Sequence, residues 1–178
     1  MDFLRNGRPP VRRSRYGSVT GTIVDMTPAG AGNRRGDACL IFAAVEDRSG
    51  NTVNFLISPM TYVVDFETLS TGMSCTFWYD LEAPVPLIYP PQYNAVAAAG
   101  EKNSRMVDVS HYDTRLINDN QTLQLNLDRS VKVRTTNNQY FQGSPANHDL
   151  VVVYESSTRS IPAQTTPKSI VVLCGQNG

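Results

Sequence analysis

Lysine is nearly missing from this sequence. Of its 16 basic residues only Lys102, Lys132 and Lys168 are lysines, so arginine carries the positive charge. Charged residues make up 18% of the chain, below the quarter usual in globular proteins. That shortage, beside 40% hydrophobic residues, excludes a disordered chain. No run approaches the ~20 apolar residues that span a membrane as a helix. Residues 1–16 hold no apolar core, so no secretory signal is expected. The expected setting is the cytoplasm by default, with a spore or extracellular assembly as the other settings. Histidine is limited to His111 and His148, and cysteine to Cys39, Cys75 and Cys174. Residues so few and scattered match no zinc-ligand spacing, and no metal or cofactor is expected. Three widely spaced cysteines make no disulfide framework. Each lies in an apolar run, so buried thiols are expected. Cys174, four residues from the end, is the candidate for an intermolecular bridge in an oxidising setting.

What is present is strand-forming. Short β-branched and aromatic runs fall at residues 18–26, 38–46, 51–57, 61–64, 74–80 and 93–99. A polar break at 100–105 follows, and the runs resume at 106–112, 123–126, 131–134, 150–155 and 170–173. Asp47-Arg48-Ser49-Gly50 is a hairpin signal with Gly where φ is positive. A helical turn is expected at residues 66–70. Residues 81–92 hold four prolines and cannot join a central strand. No amphipathic helix exceeds about two turns, so the fold class is all-β, a barrel or sandwich.

A formal charge of zero hides an asymmetry. Residues 1–17 carry Arg5, Arg8, Arg12, Arg13 and Arg15 against Asp2 alone, a +4 arm before a −4 body. With Gly7, Pro9 and Pro10 this arm is expected to be extended or flexible.

The two halves look alike. Tyr79 precedes Gly100 by 21 positions, and Tyr154 precedes Gly175 by the same 21. Each interval encloses a proline-bearing crossover, and Gly72 and Gly143 lead into the strands before them. The repeat predicts an internal duplication, with an arm at 1–17 and units at 18–100 and 106–175. Five or so strands per unit, with a short turn between the third and fourth, resembles the OB-fold, a five-stranded Greek-key barrel. The chain also resembles uncharacterised tandem OB-like proteins of spore-forming bacteria. The residues carrying this are Tyr62-Val63-Val64-Asp65, the run from Pro84 to Tyr93 and the run from Gly143 to Asp149. The resemblance covers most of the chain and implies a fold but no activity.

Catalytic patterns are lacking. His148-Asp149 has the letters of an oriented base, but strand neighbours point to opposite faces, and a backbone-bonded loop histidine is the expected reading. No serine stands in a nucleophile elbow. Asn118-Asp119-Asn120 lacks the remaining calcium-loop positions and reads as a turn. Arg35-Gly36-Asp37 is expected to be a turn, and the sequon Asn120-Gln121-Thr122 needs a secretory route to matter. Pro90-Pro91-Gln92-Tyr93 has the form of a proline-rich ligand, but the repeat assigns those prolines to a crossover that blocks edge pairing.

The arm is therefore the feature that points to function. The expectation is a non-enzymatic structural or interaction protein that forms a homo-oligomer or polymer. The +4 arm of one copy meets the −4 body of the next, and residues 11–18 add a strand to a neighbour's sheet edge. The alternative is single-stranded nucleic-acid binding. There Arg5, Arg8, Arg12, Arg13, Arg15, Tyr16, Arg34 and Arg35 supply the cationic track, and Phe42, Phe55 and Tyr62 are candidate stacking platforms. No membrane partner and no small-molecule substrate are indicated.

Overall fold

The computed structural model describes residues 14–29 and 38–175. The fold is all-β, with several sheets and one single-turn 3-10 helix. No helix among the described residues is long and apolar enough to cross a membrane.

The first half opens with an antiparallel meander of β1 (Tyr16–Pro28), β2 (Ile41–Asp47) and β3 (Thr52–Ile57). The expected hairpin joins β2 to β3. Asp47 Oδ1 accepts from the N–H of Ser49 and of Asn51, both at 2.9 Å, and Gly50 sits at φ 81°. The first part of β1 pairs with β5 (Ser74–Asp80) and the rest with β2, with the change of partner near Gly21. A Cβ added at Gly21 would stand 2.3 Å from the Glu46 carbonyl oxygen, so this crowded crossing requires glycine. A register skip between Ile23 and Asp25 bends the strand just beyond it.

The half ends in β6 (Gln92–Asn94) and β7 (Ala97–Gly100), one expected strand in two pieces. The break is a change of partner. Ala95 donates its N–H to Leu56 O at 2.9 Å, and Val96 donates to Trp78 O at 2.8 Å. β6 runs parallel to β3, and β7 antiparallel to β5. The pairings therefore return to their start: β1, β2, β3, then β6 and β7, then β5 and β1 again. A short β4 (Tyr62–Val63) lies parallel to β7. The helical turn expected at 66–70 falls instead at Val64–Phe66, because Asp65 and Phe66 take φ of 57° and 52°, left-handed values from which a right-handed turn cannot continue.

The second half comprises β8 (Met106–Tyr112), β9 (Leu123–Leu125), β10 (Lys132–Thr135), β11 (His148–Tyr154), β12 (Ala163–Thr165) and β13 (Ser169–Val172). β8–β11 and β11–β13 are antiparallel, and β9–β12 and β10–β13 parallel. These repeat the β1–β5, β5–β7, β3–β6 and β4–β7 pairings in order and direction. The counterpart of the β1–β2 hairpin is cut to single bridges, Tyr112 to Asn118 and Ile117 to Gln124. Asn118 replaces the missing ladder: its Oδ1 accepts from Thr122 N–H at 2.8 Å and Leu123 N–H at 3.0 Å.

Register corrects the spacing argument. Cys75 faces Gly100, whereas Leu150, the matching inward position, faces Val172. The second crossover is three residues shorter than the first, so the equal 21-residue intervals are not an equivalence of Gly100 with Gly175.

Each half has its own interior. Ile23, Val45, Phe55, Cys75 and Phe77 fill the first, with Phe55 stacked on Phe77 at 4.8 Å. Tyr112, Leu125, Leu150, Val152 and Ile170 fill the second. A third apolar layer joins them: Tyr16, Trp78, Ala97 and Ala99 pack against Val109, Val151, Val153, Val171 and Leu173. This seam explains the unbroken run Leu150–Val153, whose residues alternate between interior and seam and are buried on both sides. Trp78→Ala should cost about 3–5 kcal/mol in urea unfolding; a loss below about 1 kcal/mol would mean the seam is not tightly packed.

Inside the second half, the Asp108 carboxylate accepts from the Tyr112 hydroxyl at 2.5 Å and from Asn118 Nδ2 at 3.4 Å. Burial holds Asp108 above the usual carboxylate range, against the opposing pull of these hydrogen bonds. A raised folded-state pKa means the folded chain binds this proton more readily than the unfolded chain. The stability of the wild type relative to Asp108→Asn should therefore fall as pH rises from about 4 toward neutrality. Urea midpoints across that range check it, and a difference that grows with pH would contradict it.

Candidate functional site

Sequence reasoning placed Arg15 and Tyr16 in a free arm. The structure places both at one end of the seam, where strand register assembles a polar cluster. β1 begins with Tyr16 opposite Asp80, and β8 and β11 set His111 opposite Asp149. The Tyr16 hydroxyl donates to Asp149 Oδ2 at 2.6 Å, and Arg15 Nη1 reaches the same oxygen at 3.0 Å. Arg15 Nη2 meets Asp80 Oδ2 at 3.3 Å, and its backbone N–H donates to Asp119 Oδ2 at 2.8 Å. His111 Nδ1 lies 2.7 Å from Asp149 Oδ1. Asp149 itself is 4% exposed, so its charge is compensated by these neighbours rather than by water. Burial, and then the hydrogen bond to Asp149, pushes the Tyr16 phenol far up, so it remains a neutral donor.

β1 thus begins at Tyr16, not at the expected Ser18. Tyr16, Gly17 and Ser18, expected to pair with a neighbour's edge, pair with Asp80, Tyr79 and Trp78 of their own chain. Arg5, Arg8, Arg12, Arg13, Arg34 and Arg35 lie outside the described residues. Of the expected platforms, Phe55 is fully buried in the first interior, while Phe42 and Tyr62 are half-buried.

His148 bonds the Ala146 carbonyl at 2.8 Å, the expected backbone contact. The carboxylate beside it in sequence serves the other histidine, across the strand pair. His111 is 41% exposed and borders a cleft of about 270 Å³ with Asp113, Arg115, Asn118 and Asp119. The lining of this cleft holds no serine, threonine or cysteine for His111 to activate. Among the described residues no group of three His, Cys, Asp or Glu side chains is placed to hold a metal ion.

The thiols also depart from expectation. Cys75 is buried, and burial pushes it up to about 11. Cys39 and Cys174 are exposed, because the apolar runs beside them end one residue short: Cys39 precedes β2, and Cys174 follows the buried Leu173 in a turn.

Among the described residues, exposed large apolar side chains gather in the crossover between β5 and β6. Val85, Leu87, Ile88 and Tyr89 all face solvent, Leu87 completely. The crossover of the second half exposes Ile161 in the same way, at 95%.

Compared with protein-family models, curated proteins and solved structures, the chain matches none of them.

Asp149→Ala should cost about 3–5 kcal/mol in denaturant unfolding, because it removes the buried acceptor shared by Tyr16, Arg15 and His111. Tyr16→Phe should cost less, about 1.5–3 kcal/mol, for one hydrogen bond to a charged group. Equal and negligible losses for both would show the cluster to be solvent-screened.

Proposed function

We propose that this chain is a non-enzymatic interaction protein, built of two OB-like barrels from an internal duplication, that self-assembles. The barrel reading is supported by the strand pairings of the first half, which run from β1 through β2 and β3 to β6, and from its continuation β7 through β5 back to β1. The duplication is supported by the repeat of four pairings in the second half. A β-solenoid is the other architecture to weigh, favoured by the four parallel pairings. The antiparallel β1–β2–β3 meander and the antiparallel β1–β5–β7 order weigh against it.

The observation that carries the assembly reading is the exposed crossover. Apolar patches larger than a few hundred Å² are rare on monomeric proteins and mark interaction sites. Here Leu87 is 101% and Tyr89 86% exposed, in a segment that holds four prolines. A second copy of the chain is the partner this patch fits, because the opposite charges of arm and body complement each other between copies. The cytoplasm is the proposed setting.

Nucleic-acid binding is the weaker reading. Arg15 and Tyr16 are engaged in the seam, which leaves the arginines at 5, 8, 12, 13, 34 and 35 to carry it.

Size exclusion with light scattering tests the proposal. The wild type should run as an oligomer. The double variant Leu87→Ser, Tyr89→Ser should run as a monomer with an unchanged urea midpoint. Deletion of residues 1–13, which spares the Asp149 cluster, should weaken assembly in a salt-dependent way. A wild type that stays monomeric at its highest soluble concentration ends the proposal. Retention of single-stranded DNA that weakens with salt would favour the other reading.

A further inference from the structure

The seam between the halves closes at the Asp149 end and opens at the other. On the seam face of β1 and β5, Tyr16 and Trp78 give way along the strands to Ser18, Thr20, Ser74 and Thr76. Short hydroxyl side chains cannot fill the gap to β8, and a cleft of about 690 Å³ remains. Val107 and Asp108 of β8 line its far side, and Lys102, Asn103 and Arg105 of the connecting segment its rim. Its size falls in the ~300–1,000 Å³ range of small-molecule sites. Its position, between two packed units, is where such sites concentrate.

The lining is selective in chemistry. It carries two cations, Lys102 and Arg105, and one carboxylate, Glu101; the Asp108 carboxylate is taken up inside the second half by Tyr112 and Asn118. The cations are already engaged. Arg105 Nη1 bonds Glu67 at 2.6 Å and Asp65 at 2.8 Å, its Nη2 bonds the Gly100 carbonyl, and Lys102 Nζ lies 3.2 Å from Glu67. A phosphate or other anion therefore finds no uncompensated charge here. Nor does a nucleobase find a platform, because Trp78 is only 7% exposed. What the cleft offers is a floor of hydroxyls. The Thr20 and Thr76 hydroxyls bond each other at 2.8 Å, while the Ser18 and Ser74 side chains are exposed and their hydroxyls have no hydrogen-bond partner among the described residues. On the wall, Arg105 is 10% exposed and its Nε–H has no acceptor.

We propose that this cleft binds a neutral, polyhydroxylated ligand, a saccharide, across the two halves. Sugar hydroxyls are both donors and acceptors, as are the Ser and Thr hydroxyls of the floor, and the Asn103 amide offers both as well. A ligand seated there would contact β1 and β5 on one side and β8 on the other, bridging the seam where the protein does not. The site is independent of the crossover surface, so neither proposal depends on the other.

Ligand-observed NMR on the full chain tests this with neutral di- and trisaccharides of glucose, galactose, mannose and N-acetylglucosamine. Inorganic phosphate and a sulfated disaccharide serve as anionic probes. At least one neutral saccharide should bind. Ser18→Ala, Ser74→Ala should weaken it about tenfold or more, through lost hydrogen bonds, with an unchanged urea midpoint, because neither hydroxyl bonds the protein. Leu87→Ser, Tyr89→Ser should bind it like the wild type. The proposal is overturned if no neutral saccharide binds, if the hydroxyl variant binds as well as the wild type, or if only the anionic probes bind.

Discussion

One buried carboxylate organises this protein. Asp149 stands in β11 at the end of an apolar seam and takes hydrogen bonds from both halves at once, Tyr16 and Arg15 from one and His111 from the other. A charge that is 4% exposed would be costly alone. It is tolerated because its three partners hold the first residues of β1 against the second half. The placement of the first residues of β1 and the orientation of His111 follow from satisfying it.

The seam also accounts for features that a strand count leaves unexplained. β7 reads Ala-Ala-Ala-Gly because it lies between the first interior and the seam, where small side chains let the two sheets approach. β11 reads as a valine run because both of its faces are covered. The same two strands, β1 and β5, end in aromatics where the seam is shut and in hydroxyls where it opens. Anchor and cleft are opposite ends of one surface.

Much of the strand pattern was legible in the residues. The runs 74–80 and 106–112 correspond to β5 and β8 residue for residue, because β-branched and aromatic side chains there are bounded by turn-formers. β12 was not legible: three residues between Pro162 and Pro167 carry no periodicity. The polar cluster was legible only in part. The rule that strand neighbours face opposite ways correctly separated His148 from Asp149. The true partner, His111, is set by a register between strands 38 positions apart, and Arg15 lies farther still. Arginine-rich composition marked residue 15 as arm because pattern reading sees charge density, not where a strand begins.

The two halves form one folded body joined through the seam. Trp78, the only tryptophan, sits in that seam at 7% exposure and reports on it directly. Urea unfolding followed by its fluorescence and by far-ultraviolet circular dichroism should give one coincident transition. A fluorescence transition that precedes the loss of strand signal would mean the halves separate before they unfold, and would contradict the account.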